Sequence, residues 1–221
     1  MAIPPKEPLR YPVTAGSTAV ICVDMQNIFC DPRDPVNEMV PSIIPHVQAL
    51  LAAAREAGLP VIYLRHVVRG DGSDTGRMKD ISPQVDERLK AGTWNVEIIP
   101  ELTPEPGDIV VDKPFFGGFT GTDLDTILRG KGIDTVIICG TRTNICCETT
   151  ARQATEREYK VIFASDANAA SGKPDMGWGE VSAEENHRMA LTILACNFAR
   201  VASTAEILAE IRALKGLQAA S

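Results

Sequence analysis

Ala19-Val-Ile-Cys-Val23 is an unbroken apolar run that stops at Asp24. Without polar alternation it reads as a strand buried on both faces, which is the habit of a parallel sheet. Runs of the same kind recur at Pro60–Leu64, Asp108–Asp112, Asp134–Cys139, Lys160–Ala164 and Ala199–Ser203. Helical patterns lie between them. Ile43, Ile44, Val47, Leu50, Leu51 and Ala54 recur at helical spacing over Pro41–Ala57, and Gly58 stops that helix. Thr122–Leu128, Asn144–Tyr159, Ser182–Ala195 and Thr204–Leu214 read as further helices, and residues 67–105, rich in Gly, Asp and Pro, as loop with one short helix. Strands interleaved with helices imply an α/β fold. The expectation is one three-layer αβα domain over residues 1–221, with a six-stranded, mainly parallel sheet behind an extended segment, 1–16.

Composition narrows the function. Lys and Arg number 22 against 29 Asp and Glu, a net charge of −7, so there is no electrostatic footprint for nucleic acid or an anionic membrane. No apolar run approaches the ~18 residues of a spanning helix. The opening MAIPPKEPLRYPV has no apolar core of an export signal, which reads as a cytoplasmic protein. The six cysteines are therefore read as reduced thiols, and no pair has the CxxC spacing of a zinc or redox site. With three scattered histidines, chemistry falls to Cys, carboxylates and Lys.

Ligands of open parallel sheets bind beyond the carboxyl ends of the strands. Asp24, Lys113 and the segment Thr141-Arg-Thr-Asn-Ile-Cys146 stand at such ends. Cys146 lies just inside a helix start, with Thr143 or Asn144 as its expected N-cap. Unpaired N–H groups and the helix dipole there stabilise a thiolate, or the oxyanion formed when a carbonyl is attacked. A cysteine is more often a small buried hydrophobe, which is how Cys22 and Cys139 read. Cys147 is the rival nucleophile, but adjacent helix residues point about 100° apart, so one of the two faces the crevice. Asp24 would be costly after a buried strand unless paired or working. Lys113 supplies a matching cation.

Three segments carry a resemblance. Ala19-Val-Ile-Cys-Val-Asp24-Met-Gln-Asn-Ile-Phe29 resembles the "IDMQNDF" opening of isochorismatase-like cysteine hydrolases. Asp108-Ile-Val-Val-Asp-Lys113, with Gly118-Phe119 after it, is similar to their second motif. Gly140-Thr-Arg-Thr-Asn-Ile-Cys146-Cys-Glu-Thr-Thr-Ala-Arg152 is similar to their "GvaTNvCvesTaRda" signature. The resemblance spans nearly the whole chain and implies the isochorismatase-like, Rossmann-like fold. It also implies a triad of Asp24, Lys113 and Cys146, with Cys146 rather than Cys147 as nucleophile. It further implies a cis peptide between Thr141 and Arg142 that turns the Arg142 N–H toward the oxyanion beside the Cys146 N–H. Arg142 departs from the pattern, where a small residue is usual.

Within the family, the cysteine argues against vinyl-ether cleavage. Tyr63-Leu-Arg-His66-Val-Val-Arg69 lacks the second histidine of the nicotinamidase metal site, so no metal and no cofactor are expected. Gly92-Thr-Trp94-Asn-Val-Glu97 resembles a segment of ureidoacrylate amidohydrolases. The expected activity is hydrolysis of a C–N bond in a small linear amide or ureido compound through a thioester. Alternatives are a nicotinamidase-like or hydrazide hydrolase, or a non-catalytic thiol protein. Phe29, Trp94, Phe116 and Phe119 are expected to wall the pocket, although bulky aromatics are more often core. Pro174–Gly179 is expected to be a mobile loop that covers the site, with His187 and Glu185 structural at a helix start. A homodimer or homotetramer is expected by resemblance.

Overall fold

The computed structural model describes residues 6–218. The strands are β1 (Thr18–Val23), β2 (Val61–His66), β3 (Ile109–Lys113), β4 (Thr135–Thr141), β5 (Lys160–Ala169) and β6 (Arg200–Ala202). They form one six-stranded sheet in the order β3-β2-β1-β4-β5-β6, with every neighbouring pair parallel. The helices are α1 (Asn27–Cys30), α2 (Val40–Glu56), α3 (Met78–Ile81), α4 (Val85–Arg88), α5 (Leu124–Gly130), α6 (Glu148–Thr155), α7 (Ala183–Asn197) and α8 (Thr204–Gln218). Residues 1–5 of the expected extended segment lie outside the described residues. Residues 6–14 carry no regular structure, and this segment runs beside α8, where the Val13 N–H donates to Glu210 at 3.0 Å.

β1 is buried along its whole length and divides two cores. Val20 and Cys22 face one core with α2 and α8; Ala19, Ile21 and Val23 face another with α5, α6 and α7. That alternation follows from the two-residue period of a strand, and two covered faces explain why the run has no polar position. A third, smaller cluster joins Val67, Val68, Met78, Val85, Leu89 and Val96. It organises the 67–105 stretch into α3, α4 and two short turns, more structure than the single short helix expected, because apolar residues too sparse to show periodicity still converge in space.

Two details shape the site end of the sheet. Gly140 has φ +124°, and a Cβ there would stand 2.1 Å from the Val23 carbonyl oxygen, so only glycine lets β4 lie this close to β1. β5 runs past the expected Ala164, with a register shift between Ile138 and Gly140. Asn168 fills that irregularity, donating to the carbonyls of Ile138 (3.0 Å) and Ala164 (2.6 Å). Among the described residues, no helix is long and apolar enough to cross a membrane.

Candidate active site

Three strand ends meet beyond the carboxyl edge of the sheet. Asp24 follows β1 with φ +49°, a left-handed conformation that Asp tolerates better than most residues, and the chain turns there off the strand. Lys113 ends β3, two strands away, and its fully buried side chain donates from Nζ to Asp24 Oδ2 at 2.8 Å and to the Phe115 carbonyl at 3.0 Å. Two strand spacings are roughly 10 Å, so the bridge calls for a long cationic side chain. β4 leads into the third component. The Thr141–Arg142 peptide is cis, and residues Thr143–Cys147 form a π-helical turn that passes into α6. Cys146 and Cys147 therefore belong to that turn, and the expected single helix Asn144–Tyr159 is divided.

The expected capping also differs. Arg142, extended, occupies the cap position, and no side chain caps the turn. Its carbonyl instead accepts from the N–H groups of Ile145 and Cys147, both at 3.1 Å. Thr143 Oγ1 is engaged with His187 Nδ1 at 2.9 Å, while His187 Nε2 reaches the Ser165 carbonyl at 3.0 Å. A carbonyl only accepts, so the proton sits on Nε2 and Nδ1 takes the threonine hydroxyl proton. His187 thus braces the turn from α7. Glu185 closes a capping box with Ser182 at the start of that helix.

Cys146 is buried and lines a cavity of about 250 Å³ together with Asp24, His66, Thr141 and Arg142. Cys147 is fully buried and is not among the lining residues. A carboxylate oxygen of Asp24, a ring nitrogen of His66 and Cys146 Sγ lie within 4.8 Å of one another. Asp24 Oδ1 is buried without a hydrogen-bond partner. That oxygen is the open acceptor of a site where the other oxygen is taken by Lys113.

The electrostatics define resting protonation. Burial, and then the Asp24 charge, push the Cys146 thiol well above its ordinary value; Lys113 and the Arg142 backbone N–H pull the other way. Burial raises the Asp24 carboxyl, opposed by the Lys113 charge and by the nearby Cys146 thiol. Burial alone would lower Lys113, but Asp24 and Cys146 outweigh it and hold the ammonium charged. The Cys146 thiol is thus held protonated and the Lys113 ammonium charged, with Asp24 within reach of both.

His66, without a second histidine at ligand spacing, stands in the cavity wall between Phe29 (ring centroids 6.5 Å, stacked) and Phe116 (6.0 Å, edge-on). Its Nε2 meets the Pro114 carbonyl at 3.2 Å. Burial and then the Lys113 charge push its pKa down to about 3, so the imidazole is neutral. Gln26 fixes it from behind: its Oε1 accepts the His66 N–H at 2.7 Å, and its Nε2 donates to the carbonyls of His66 (3.1 Å) and Val96 (2.9 Å). Among the described residues, Asp24, His66 and Cys146 are the group whose ligand atoms are close enough to share a metal ion. Lys113 already neutralises the carboxylate there, so the trio suits proton transfer better.

The sign of the His66 effect on stability is definite. Its folded pKa lies below the unfolded value of about 6.5, so the unfolded chain takes up a proton that the folded chain refuses. The stability at stake is present above pH 6.5 and is lost as pH falls toward 3. Between pH 6.5 and 5 the expected loss from this group is about 2 kcal/mol. Urea denaturation of wild type and His66→Gln at several pH values measures it. The variant should show the flatter profile over that range, and equal slopes would remove His66 from the account.

Of the four aromatics expected to wall the pocket, Phe29 and Phe116 line the cavity and Trp94 and Phe119 do not. Phe119 is buried against Tyr159 (5.8 Å) in the core between the sheet and α5–α7. Trp94 is 59% exposed, and its backbone carbonyl accepts from Asn27 Nδ2 at 2.8 Å. Further lining comes instead from α3, α4 and the residue after α4, through Met78, Val85, Arg88 and Leu89, which sequence reading did not single out. Residues 174–179 do not line the cavity; Asp175 Oδ1 accepts there from the N–H groups of Gly177 (2.7 Å) and Gly179 (2.9 Å).

Residues 18–206 match the isochorismatase domain model. The ureidoacrylate amidohydrolase RutB of Methylorubrum extorquens strain AM1 is 34% identical over 195 residues, covering 79% of each chain. The crystal structure of a cysteine hydrolase from Pseudomonas syringae pv. phaseolicola 1448A superposes with a TM-score of 0.92 at 50% identity, covering 95% of this chain and 99% of that one. The N-carbamoylsarcosine amidase of Thermoplasma acidophilum superposes with a TM-score of 0.68 at 29% identity, covering 85% and 96%.

Proposed function

The chain belongs to the isochorismatase family of hydrolases, and from that premise we propose that it is a cysteine amidohydrolase cleaving a small linear amide or ureido compound through a thioester on Cys146. The observation that carries this reading is the arrangement of Asp24, with one oxygen bound to the Lys113 ammonium and the other unpartnered, in the same cavity wall as the Cys146 thiol. Relatives named for hydrolysis of ureidoacrylate and N-carbamoylsarcosine support a C–N bond next to a ureido or carbamoyl carbonyl.

The steps follow from acyl-transfer chemistry. Asp24 takes the proton of Cys146 as Sγ bonds to the carbonyl carbon, so the buried thiol need not ionise in isolation. The backbone N–H groups of Arg142 and Cys146 receive the negative charge that develops on oxygen. As the C–N bond breaks, Asp24 gives its proton to the departing nitrogen, which leaves as ammonia or an amine. Water then attacks the thioester, Asp24 accepts its proton, and the proton returns to Sγ as the S–C bond breaks. Lys113 stays charged throughout and keeps Asp24 aimed. The proposal takes in a cytoplasmic homodimer or homotetramer, carried over by family likeness.

Ammonia release from ureido acids, biuret, carbamoyl amino acids, hydrazides and nicotinamide tests the reading. Turnover of a ureido or carbamoyl compound is the expected result. Turnover confined to nicotinamide or hydrazides would move the substrate class, and release from no compound would favour a non-catalytic thiol protein.

A further inference from the structure

The rim of the catalytic cavity carries charge opposite to that of the chain as a whole, whose net charge is −7. Arg142 and Arg88 line the cavity and lie near enough for Arg88 to disfavour the charge on Arg142. Lys173 feels Arg142 in the same way, and its Nζ donates to the neutral Ser171 Oγ at 2.6 Å. Elsewhere, arginines withdrawn from water meet carboxylates: Arg55 meets Asp108 at 2.6 Å, Arg65 meets Asp112 at 2.7 Å, and Arg200 pairs with Glu210.

Arg142 does not follow that pattern. Its guanidinium is half-buried, donates to the Val36 carbonyl at 2.8 Å and to Asn37 Oδ1, and stands 6.0 Å from the Phe29 ring. All three neighbours are uncharged. Asp34 is the carboxylate that most favours its charge, but Asp34 Oδ1 accepts the Val36 N–H at 3.0 Å and makes no ion pair with Arg142 among the described residues. A guanidinium taken partly out of water without a counter-ion is costly, and its forked donors match a carboxylate. The neutral contacts hold it in place beside the cavity. The same cavity is also lined by the apolar Phe29, Val85, Leu89 and Phe116.

We propose that the Arg142 side chain, with Arg88 beside it at the rim, binds an anionic group of the substrate, so that the site takes ureido or amide compounds bearing a carboxylate a few atoms from the scissile carbonyl. This rests on the amidohydrolase reading for the place of that carbonyl. Arg142 then acts twice, through its backbone N–H on the reacting oxygen and through its guanidinium on the far end of the substrate. Uncharged ureas lack the second contact.

The test compares 3-ureidopropionate with the uncharged N-(3-hydroxypropyl)urea. For wild type, kcat/KM for the anion should exceed that for the neutral compound by about 100-fold, the scale of a paired, charge-assisted contact. Arg142→Met should bring that ratio below about 5, mainly by raising KM for the anion, and Arg142→Lys should fall between. If Arg142 serves only to hold the Pro35–Asn37 turn, both compounds lose equally in Arg142→Met, and the proposal falls. If Arg142→Met does not fold, Arg142→Lys and Arg88→Met carry the same comparison, and a wild-type ratio in both overturns it. If wild type turns over neither compound, the ureido reading fails but the anion site is still tested by calorimetric titration of Cys146→Ser with glutarate. Binding that disappears in Cys146→Ser/Arg142→Met upholds the anion site, and no binding to Cys146→Ser overturns it.

Discussion

Cys146→Ala is expected to lower ammonia release from a ureido substrate by about 10⁴-fold or more, while Cys147→Ala stays within a few-fold of wild type. The contrast follows from position. Both thiols border the core between the sheet and α5–α7, but Cys146 opens onto the cavity and Cys147 is fully enclosed. Removing the first removes the atom that bonds to carbon, and no other residue described at the cavity can replace it. Removing the second leaves a small void, with a stability cost of about 1 kcal/mol. Parallel rate assays, with circular dichroism to confirm folding, decide it. Activity that survives Cys146→Ala, or disappears with Cys147→Ala alone, would reassign the nucleophile.

Lys113→Met should have the larger effect on stability. Among the described residues it removes the one ion-pair partner of a buried carboxylate whose second oxygen already has no hydrogen bond. Breaking a buried pair from one side costs about 3–5 kcal/mol, because the remaining charge is stranded. The loss should shrink as pH falls, since a protonated Asp24 needs no counter-ion. The double variant Asp24→Asn/Lys113→Met leaves no charge behind and should recover most of the stability, while activity stays abolished in both. Urea denaturation of the single and double variants measures this cycle. Additive losses would show that the two side chains do not act as a pair.

The parts of this site that were legible in the sequence are those attached to strands. Ala19–Val23 identified β1 and so placed Asp24 at its end; the same logic placed Lys113 and the Cys146 segment. A buried parallel strand has few alternatives, and the position just past its carboxyl end is fixed by the fold. The lining around α3 and α4 was not legible. Met78 and Val85 come from helices of four residues, too short to show a period, and Leu89 follows the second, within a stretch whose Gly, Pro and charges read as loop. Trp94 and Phe119 illustrate the reverse failure. Both lie close in sequence to the motifs, but Trp94 is exposed and Phe119 lies in the core. His66 was discounted for lack of a second histidine, a test for metal ligands that says nothing about a neutral imidazole stacked between two phenyl rings. The division of the catalytic turn from α6 also had no sequence signal, since a π turn uses the same residues as the helix that follows it.

The reach of Lys113 across β2 has a consequence for the folding chain. β3 is the outermost strand on its side of the sheet, and such a strand is among the easier elements to dock late or out of step. A slip of one residue along β2 would send the lysine to the opposite face. Asp24 would then lose its charge partner, and Cys146 would remain an idle thiol in an apolar wall. On the proposed mechanism, reactivity is therefore conditional on this outer strand holding its register.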